Sequence, residues 1–200
     1  MHKSSYINMK KFVEEYLEKY KDKKLIIVDI GSQDVNGSYK PLFDNYNWKY
    51  YGCDMVEGNN VDIVLRDIYN WKEIASNSVD VVISGQAFEH IEYTWGTMLE
   101  IARVLKDEGM ACIIAPSGGV EHRYPLDCWR FYPDGFKALA KYAGLNKLEV
   151  YTQWDKEHYP DFNPVWKDTV LICKKPTMKL KRKIKFYVKN KLSKFIIKLS

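Results

Sequence analysis

No stretch of this chain approaches the roughly 18 consecutive apolar residues that a membrane-crossing helix needs. The opening Met1-His2-Lys3-Ser4-Ser5 has no apolar core of the kind a secretion signal carries. Cysteine is scarce: Cys53, Cys112, Cys128 and Cys173 lie far apart and form no Cys-x-x-Cys pair. That argues against structural zinc and against a disulfide framework, and no metal site is expected. Reduced thiols in a cytoplasmic protein are the expectation. Acid is missing from one region only. Residues 174–200 carry eleven Lys or Arg and no Asp or Glu, leaving 20 basic residues against 26 acidic ones in residues 1–173. The body is mildly acidic and the tail strongly basic, so the tail needs an explanation of its own.

What is present reads as one globular domain over 1–176 and a basic appendage over 177–200. A 46% hydrophobic fraction suits a real core. Apolar positions Ile7, Met9, Phe12, Val13, Tyr16, Leu17 and Tyr20 predict an amphipathic helix over about 5–20. Apolar, β-branched runs predict seven strands near 25–30, 48–53, 61–64, 79–84, 110–115, 146–153 and 167–173. Between them come a poor helix over 37–44 limited by Pro41, a short one over 71–75, a clear one over 94–106 stopped near Gly109, and one from Pro133 to Ala143 before Gly144. Alternating strands and helices imply an open α/β sheet.

Acids end the early strands. Leu25 to Ile30 runs into Gly31 with Asp29 just before it, and Asp54 closes the second strand 25 positions later. In nucleoside-binding α/β folds an acid there accepts hydrogen bonds from ribose hydroxyls. A dinucleotide dehydrogenase would want a fuller glycine fingerprint than Gly31-Ser32-Gln33-Asp34-Val35-Asn36-Gly37 provides.

In order, Val28-Asp29-Ile30-Gly31, Asp54, Asp67-Ile68, the stretch Asp80 to Ile91, and Glu100-Ile101-Ala102-Arg103-Val104-Leu105 followed by Gly109 resemble the class I S-adenosylmethionine-dependent methyltransferases (type 11-like) over about 24–173. The resemblance implies an open, mostly parallel seven-stranded Rossmann-like sheet with helices on both faces, and S-adenosylmethionine as cofactor. It further implies that Asp29 holds the cofactor's cationic end, that Gly31 lets the backbone approach the ligand, and that Ser32 is cofactor-binding too. Asp54 would take the ribose, Met55 the adenine face, Asp67 and the Ile68 amide the adenine edge, and Ser84 and Gln86 the methionine part. The Asn/Asp-Pro-Pro-Tyr signature of base N-methylation is replaced by Ser84-Gly85-Gln86-Ala87, which disfavours nucleic acid as substrate.

The loop after the fifth strand is rich in chemistry. His122-x-Tyr124-Pro125-x-Asp127-x-x-Arg130-Phe131-x-Pro133-Asp134-Gly135 resembles a subgroup associated with bacterial surface-polysaccharide pathways. Methyl transfer to a hydroxyl benefits from a base, so His122 and His90 are the candidates and Asp127 the orienting carboxylate. Arg123 and Arg130 could grip an anionic substituent, and Tyr124 and Trp129 could stack on a sugar. The reading is O-methylation of a sugar, sugar-phosphate or glycan intermediate. The alternatives are a non-catalytic methyltransferase-like scaffold subunit and an RNA methyltransferase.

In the tail, Leu180, Ile184, Tyr187, Val188, Leu192, Phe195, Ile196 and Leu199 recur at helical spacing with lysines around them. A basic amphipathic helix suits an anionic membrane surface at the inner face, or a protein partner.

Overall fold

The computed structural model describes residues 2–161 and 163–200. In chain order its elements are α1 (Lys3–Phe12), β1 (Ile26–Ile30), β2 (Lys49–Asp54), β3 (Ile63–Val64), β4 (Val79–Gly85), α2 (Thr94–Val104), β5 (Leu105–Pro116), α3 (Pro133–Ala143), β6 (Asn146–Thr152), β7 (Asp168–Lys174) and α4 (Leu180–Leu199). The seven strands form one sheet in the order β3-β2-β1-β4-β5-β7-β6. Strands β1 to β5 pair in parallel, and β7 enters antiparallel between β5 and β6.

Chain direction along the sheet reverses between β1 and β4, which opens a crevice at the carboxyl ends of those strands. The central strands are buried on both faces, as a parallel sheet covered by helices requires. On one face Trp71, Met98, Ile101 and Phe136 pack against Val28, Val82 and Ile113. On the other, Met9, Phe12 and Leu17 from the N-terminal helix meet Ile27, Ile83 and Ile114.

The expected order of elements is present, with local corrections. The helix expected over 5–20 is α-helical only to Phe12, then widens to a π-turn over Val13–Leu17 and tightens to a 3₁₀ turn over Glu18–Tyr20. The poor helix over 37–44 shrinks to a 3₁₀ turn at Lys40–Leu42 around Pro41. The helix expected over 71–75 is a set of turns. Glu100 accepts the Trp71 N–H at 2.8 Å, and Arg103 donates to the Trp71 and Ile74 carbonyls at 2.6 and 3.0 Å, so side chains of α2 satisfy backbone groups that a helix would have paired. The helix expected to reach 106 stops at Val104. Leu105 already pairs with Val79, and the Asn77 and Ser78 N–H groups donate to the last carbonyls of α2. Gly109 therefore lies within β5, at an irregularity of the strand where Glu108 has φ 69°.

Candidate active site

The cofactor side is built where β1 and β2 end. Gly31 has φ 77°, and a Cβ there would stand 2.4 Å from the Ala87 Cβ, so turn geometry and space both demand glycine. Asp29 is 2% exposed. One of its oxygens accepts the Tyr50 hydroxyl at 2.6 Å, and Oδ1 has no partner. Burial pushes this carboxyl up to about 7, the Tyr50 hydrogen bond opposing and the nearby Asp54 charge adding. A buried carboxylate oxygen without a donor carries a desolvation cost that a cationic partner would offset.

Asp54 presents both oxygens at the end of β2. One accepts the Gln33 N–H at 3.1 Å and the other the Met55 N–H at 2.7 Å, which orients the carboxylate and leaves each oxygen a further lone pair. Met55 is exposed beside it. Asp67 is exposed after β3 and accepts the Tyr69 N–H at 2.8 Å, and Ile68 next to it is half-buried. Two of the expected site residues use their hydroxyls within the protein. The Ser84 hydroxyl is fully buried and donates to the Ile30 carbonyl at 2.8 Å, bracing β4 to β1. The Ser32 hydroxyl is turned to the Asn60 carbonyl at 2.8 Å and fixes the loop over β2. Gln86 sits at φ 59°. Its amide nitrogen donates to Asp168 at 2.9 Å, while its oxygen is buried without a partner.

The loop after β5 carries a second cluster of polar side chains. Asp127 receives two hydrogen bonds from Arg130, at 2.6 and 2.8 Å, and the His122 N–H at 2.7 Å. Arg130 also donates to the Val120 carbonyl at 2.8 Å. Those Arg130 bonds hold the Asp127 carboxyl well below its usual range. Arg130 thereby braces the loop through both terminal nitrogens, and its buried Nε has no partner among the described residues. The His122 Nδ1 lies 3.5 Å from Asp127, and its ring is 5.0 Å from His90 and 4.6 Å from Trp166.

His90 faces the Leu126 carbonyl through Nδ1 at 2.5 Å, which leaves Nε2 directed at Glu89, 3.7 Å away. Burial lowers the His90 pKa and so favours the neutral ring. Glu89 is 1% exposed with both carboxylate oxygens unpartnered, and burial pushes it up to about 8. Glu89, His90 and His122 offer atoms within 4.8 Å of one another, which could hold a metal ion or relay a proton. At the rim, Trp129 donates to the Ile91 carbonyl at 2.9 Å with much of its ring exposed, Tyr124 is exposed, and Arg123 pairs with Glu121 at 2.8 Å in solvent.

Residues 15–113 match the model of a family described as methyltransferase domain. That segment, just under half of the chain, resembles a methyltransferase domain. Among solved structures, a candidate sarcosine dimethylglycine methyltransferase from Galdieria sulphuraria aligns with a TM-score of 0.63 at 15% identity, covering 85% of this chain and 86% of that one. A 1,6-didemethyltoxoflavin-N1-methyltransferase from Burkholderia thailandensis, solved with 1,6-didemethyltoxoflavin and S-adenosylhomocysteine bound, gives 0.63 at 11% identity, covering 88% and 80%. The [4+2]-cyclase SpnF gives 0.62 at 14%, covering 86% and 81%. Likeness at these identities speaks to fold, and its host reactions differ. No curated protein matches the sequence.

The start of the chain also packs beside these loops, which sequence reasoning missed. Ser4 donates to Asp168 at 2.6 Å, and Ser5 shares a hydrogen bond with Tyr39 at 2.6 Å. His2 stacks on Trp166 at 5.2 Å, placing a third imidazole near His122, and burial lowers its pKa. Gly85 has no room for a side chain, because the Tyr39 hydroxyl lies 1.9 Å from where its Cβ would stand.

Proposed function

We propose that this chain is an S-adenosylmethionine-dependent O-methyltransferase acting on a sugar, sugar-phosphate or glycan intermediate of cell-surface polysaccharide synthesis. The observation that carries the cofactor reading is the crevice between β1 and β4, with the orphaned Asp29 oxygen, the Gly31 turn and the oriented Asp54 carboxylate. Bound S-adenosylmethionine supplies a methyl group on a sulfonium, open to in-line displacement. Asp29 holds the cationic end of the cofactor. Asp54 accepts the ribose hydroxyls, Met55 lies along the adenine, and Asp67 with the Ile68 amide reads the adenine edge. The unpartnered Gln86 oxygen faces the methionine part.

On the acceptor side His122, oriented by Asp127, takes the proton of the attacking hydroxyl, and neutral His90 stands beside it as the next acceptor. Alignment of hydroxyl and methyl group supplies most of the acceleration. The rim aromatics Tyr124 and Trp129 suit a sugar face, and the exposed Arg123 suits an anionic substituent. The sugar assignment rests on this rim and on the pattern from His122 to Gly135.

The test is transfer of labelled methyl from S-adenosylmethionine to a panel of nucleotide sugars and glycans. His122→Ala is expected to lower turnover by about a hundredfold or more, with cofactor affinity unchanged. Wild-type turnover in that variant removes His122 as the base. Absence of S-adenosylmethionine binding by the wild-type chain favours the scaffold alternative.

A further inference from the structure

The tail helix docks with the side that apolar patterning would have turned outward. Phe186, Asn190, Ser193 and Ile197 of α4 face the body, while all eight apolar residues from Leu180 to Leu199 that mark its hydrophobic face are exposed, between 49% and 74%. The cause is Glu100 of α2, fully buried, which draws Asn190 at 2.9 Å and Lys194 at 2.7 Å. A buried carboxylate needs these partners, and they outweigh the pull of the apolar stripe. Trp95 and Tyr142 add aromatic surface beside α4, lining a groove of about 390 Å³ with Val188, Leu192 and Ile196.

The charge on this helix is one-signed. Lys183 and Lys194 pair with the body through Asp107 and Glu100. Lys181, Lys185, Lys191 and Lys198 are exposed among the outward apolar residues and have no ion-pair partner among the described residues. A helix this length spans about 30 Å along a surface, and no helix among the described residues is long and apolar enough to cross a membrane. Lysines that interrupt an apolar face are out of place in the core of a protein interface. At a lipid interface their stems lie along the acyl boundary and their ammonium groups reach anionic headgroups.

The helix is also aimed. Near its start Arg182 donates to the Gly144 carbonyl and Lys183 meets Asp107, at the edge of the sheet away from the crevice. Near its end Ile197 packs on Gly96 beside Tyr69, and Tyr69 accepts the Tyr93 N–H just before α2, where the chain has left the end of β4. Its last turns, with Phe195, Ile196 and Leu199, therefore lie at the active-site edge.

We propose that the outward face of α4 lays this protein on an anionic lipid bilayer and brings the mouth of the crevice to the headgroup layer. An acceptor carried on a lipid would meet the site there. That last step rests on the methyltransferase reading; the binding itself does not.

The test is co-sedimentation of the full chain with phosphatidylglycerol-containing vesicles and with phosphatidylcholine vesicles, run beside calorimetric binding of S-adenosylhomocysteine. Partition to the anionic vesicles is expected, weakening with salt, with little to the neutral ones. Leu192→Asp/Phe195→Asp, and separately Lys185→Gln/Lys191→Gln/Lys198→Gln, should each lower partition by about tenfold or more and leave S-adenosylhomocysteine binding unchanged. No partition, or partition that neither variant moves, overturns the proposal while retained S-adenosylhomocysteine binding spares the methyltransferase reading. Self-association in vesicle-free solution that Leu192→Asp/Phe195→Asp abolishes would assign the face to a second copy instead. Binding to RNA that only the lysine variant reduces would assign the charge to a nucleic acid.

Discussion

A carboxyl group shielded from water is most useful to a ligand that brings the missing positive charge. Asp29 is in that position, raised to about 7 by burial in the free protein. Below that value it carries a proton that a cationic ligand must expel, and above it the carboxylate is ready. Affinity for S-adenosylmethionine should therefore rise as pH climbs through about 7 and then level off. Calorimetry across that range checks it, with Asp29→Asn flattening the rise; a flat wild-type profile would remove Asp29 from the cofactor's cationic end. At this scale the sequence was informative where a residue's role follows from its own strand. Asp29, Gly31 and Asp54 end apolar runs and stand where expected. The bond that Ser84 makes was not legible, because the carbonyl it braces belongs to Ile30, 54 positions away, and no local pattern announces that partner. Arg130 follows Asp127 by three positions, close enough for the fork it makes onto that carboxylate.

Elements were legible by period and less so by boundary. Strand runs and the helix before Gly144 came out of apolar spacing and turn residues. The stretch 71–75 and the end of α2 did not, since both are decided by side chains reaching across the chain: Glu100, Arg103, and the amides of Asn77 and Ser78. The same Glu100 explains why α4 was readable as a helix but not in its facing. Burial alone would raise the Glu100 carboxyl, yet hydrogen bonds from Arg103, Lys194 and Asn190 hold it below its ordinary value. A depressed carboxyl contributes stability above its ordinary range and loses it as pH falls through the lowered native value. Lys194→Ala should loosen α4 selectively: hydrogen exchange over 186–197 should speed up while β4 and β5 stay protected. Unchanged exchange would mean that Phe186 and Ile197 packing holds the helix without the ion pair.

The whole molecule divides its charge and its labour. An acidic body folds a parallel sheet whose reversal between β1 and β4 opens one crevice, and a basic helix is strapped beside it with its apolar side outward. The alternation of strands and helices revealed this architecture in the sequence. The packing of His2, Ser4 and Ser5 beside the loops was invisible there, since short polar residues at a helix start carry no pattern that names Asp168 or Tyr39 as partners. The central claim is that the crevice holds S-adenosylmethionine through its strand-end carboxylates. Calorimetric titration of the purified full chain with S-adenosylhomocysteine, beside Asp54→Ala, tests it most directly. The account predicts saturable one-to-one binding, weakened by about tenfold or more in the variant, as loss of paired charge-assisted hydrogen bonds requires. No binding by the wild-type chain, or equal binding by a folded Asp54→Ala, would contradict it.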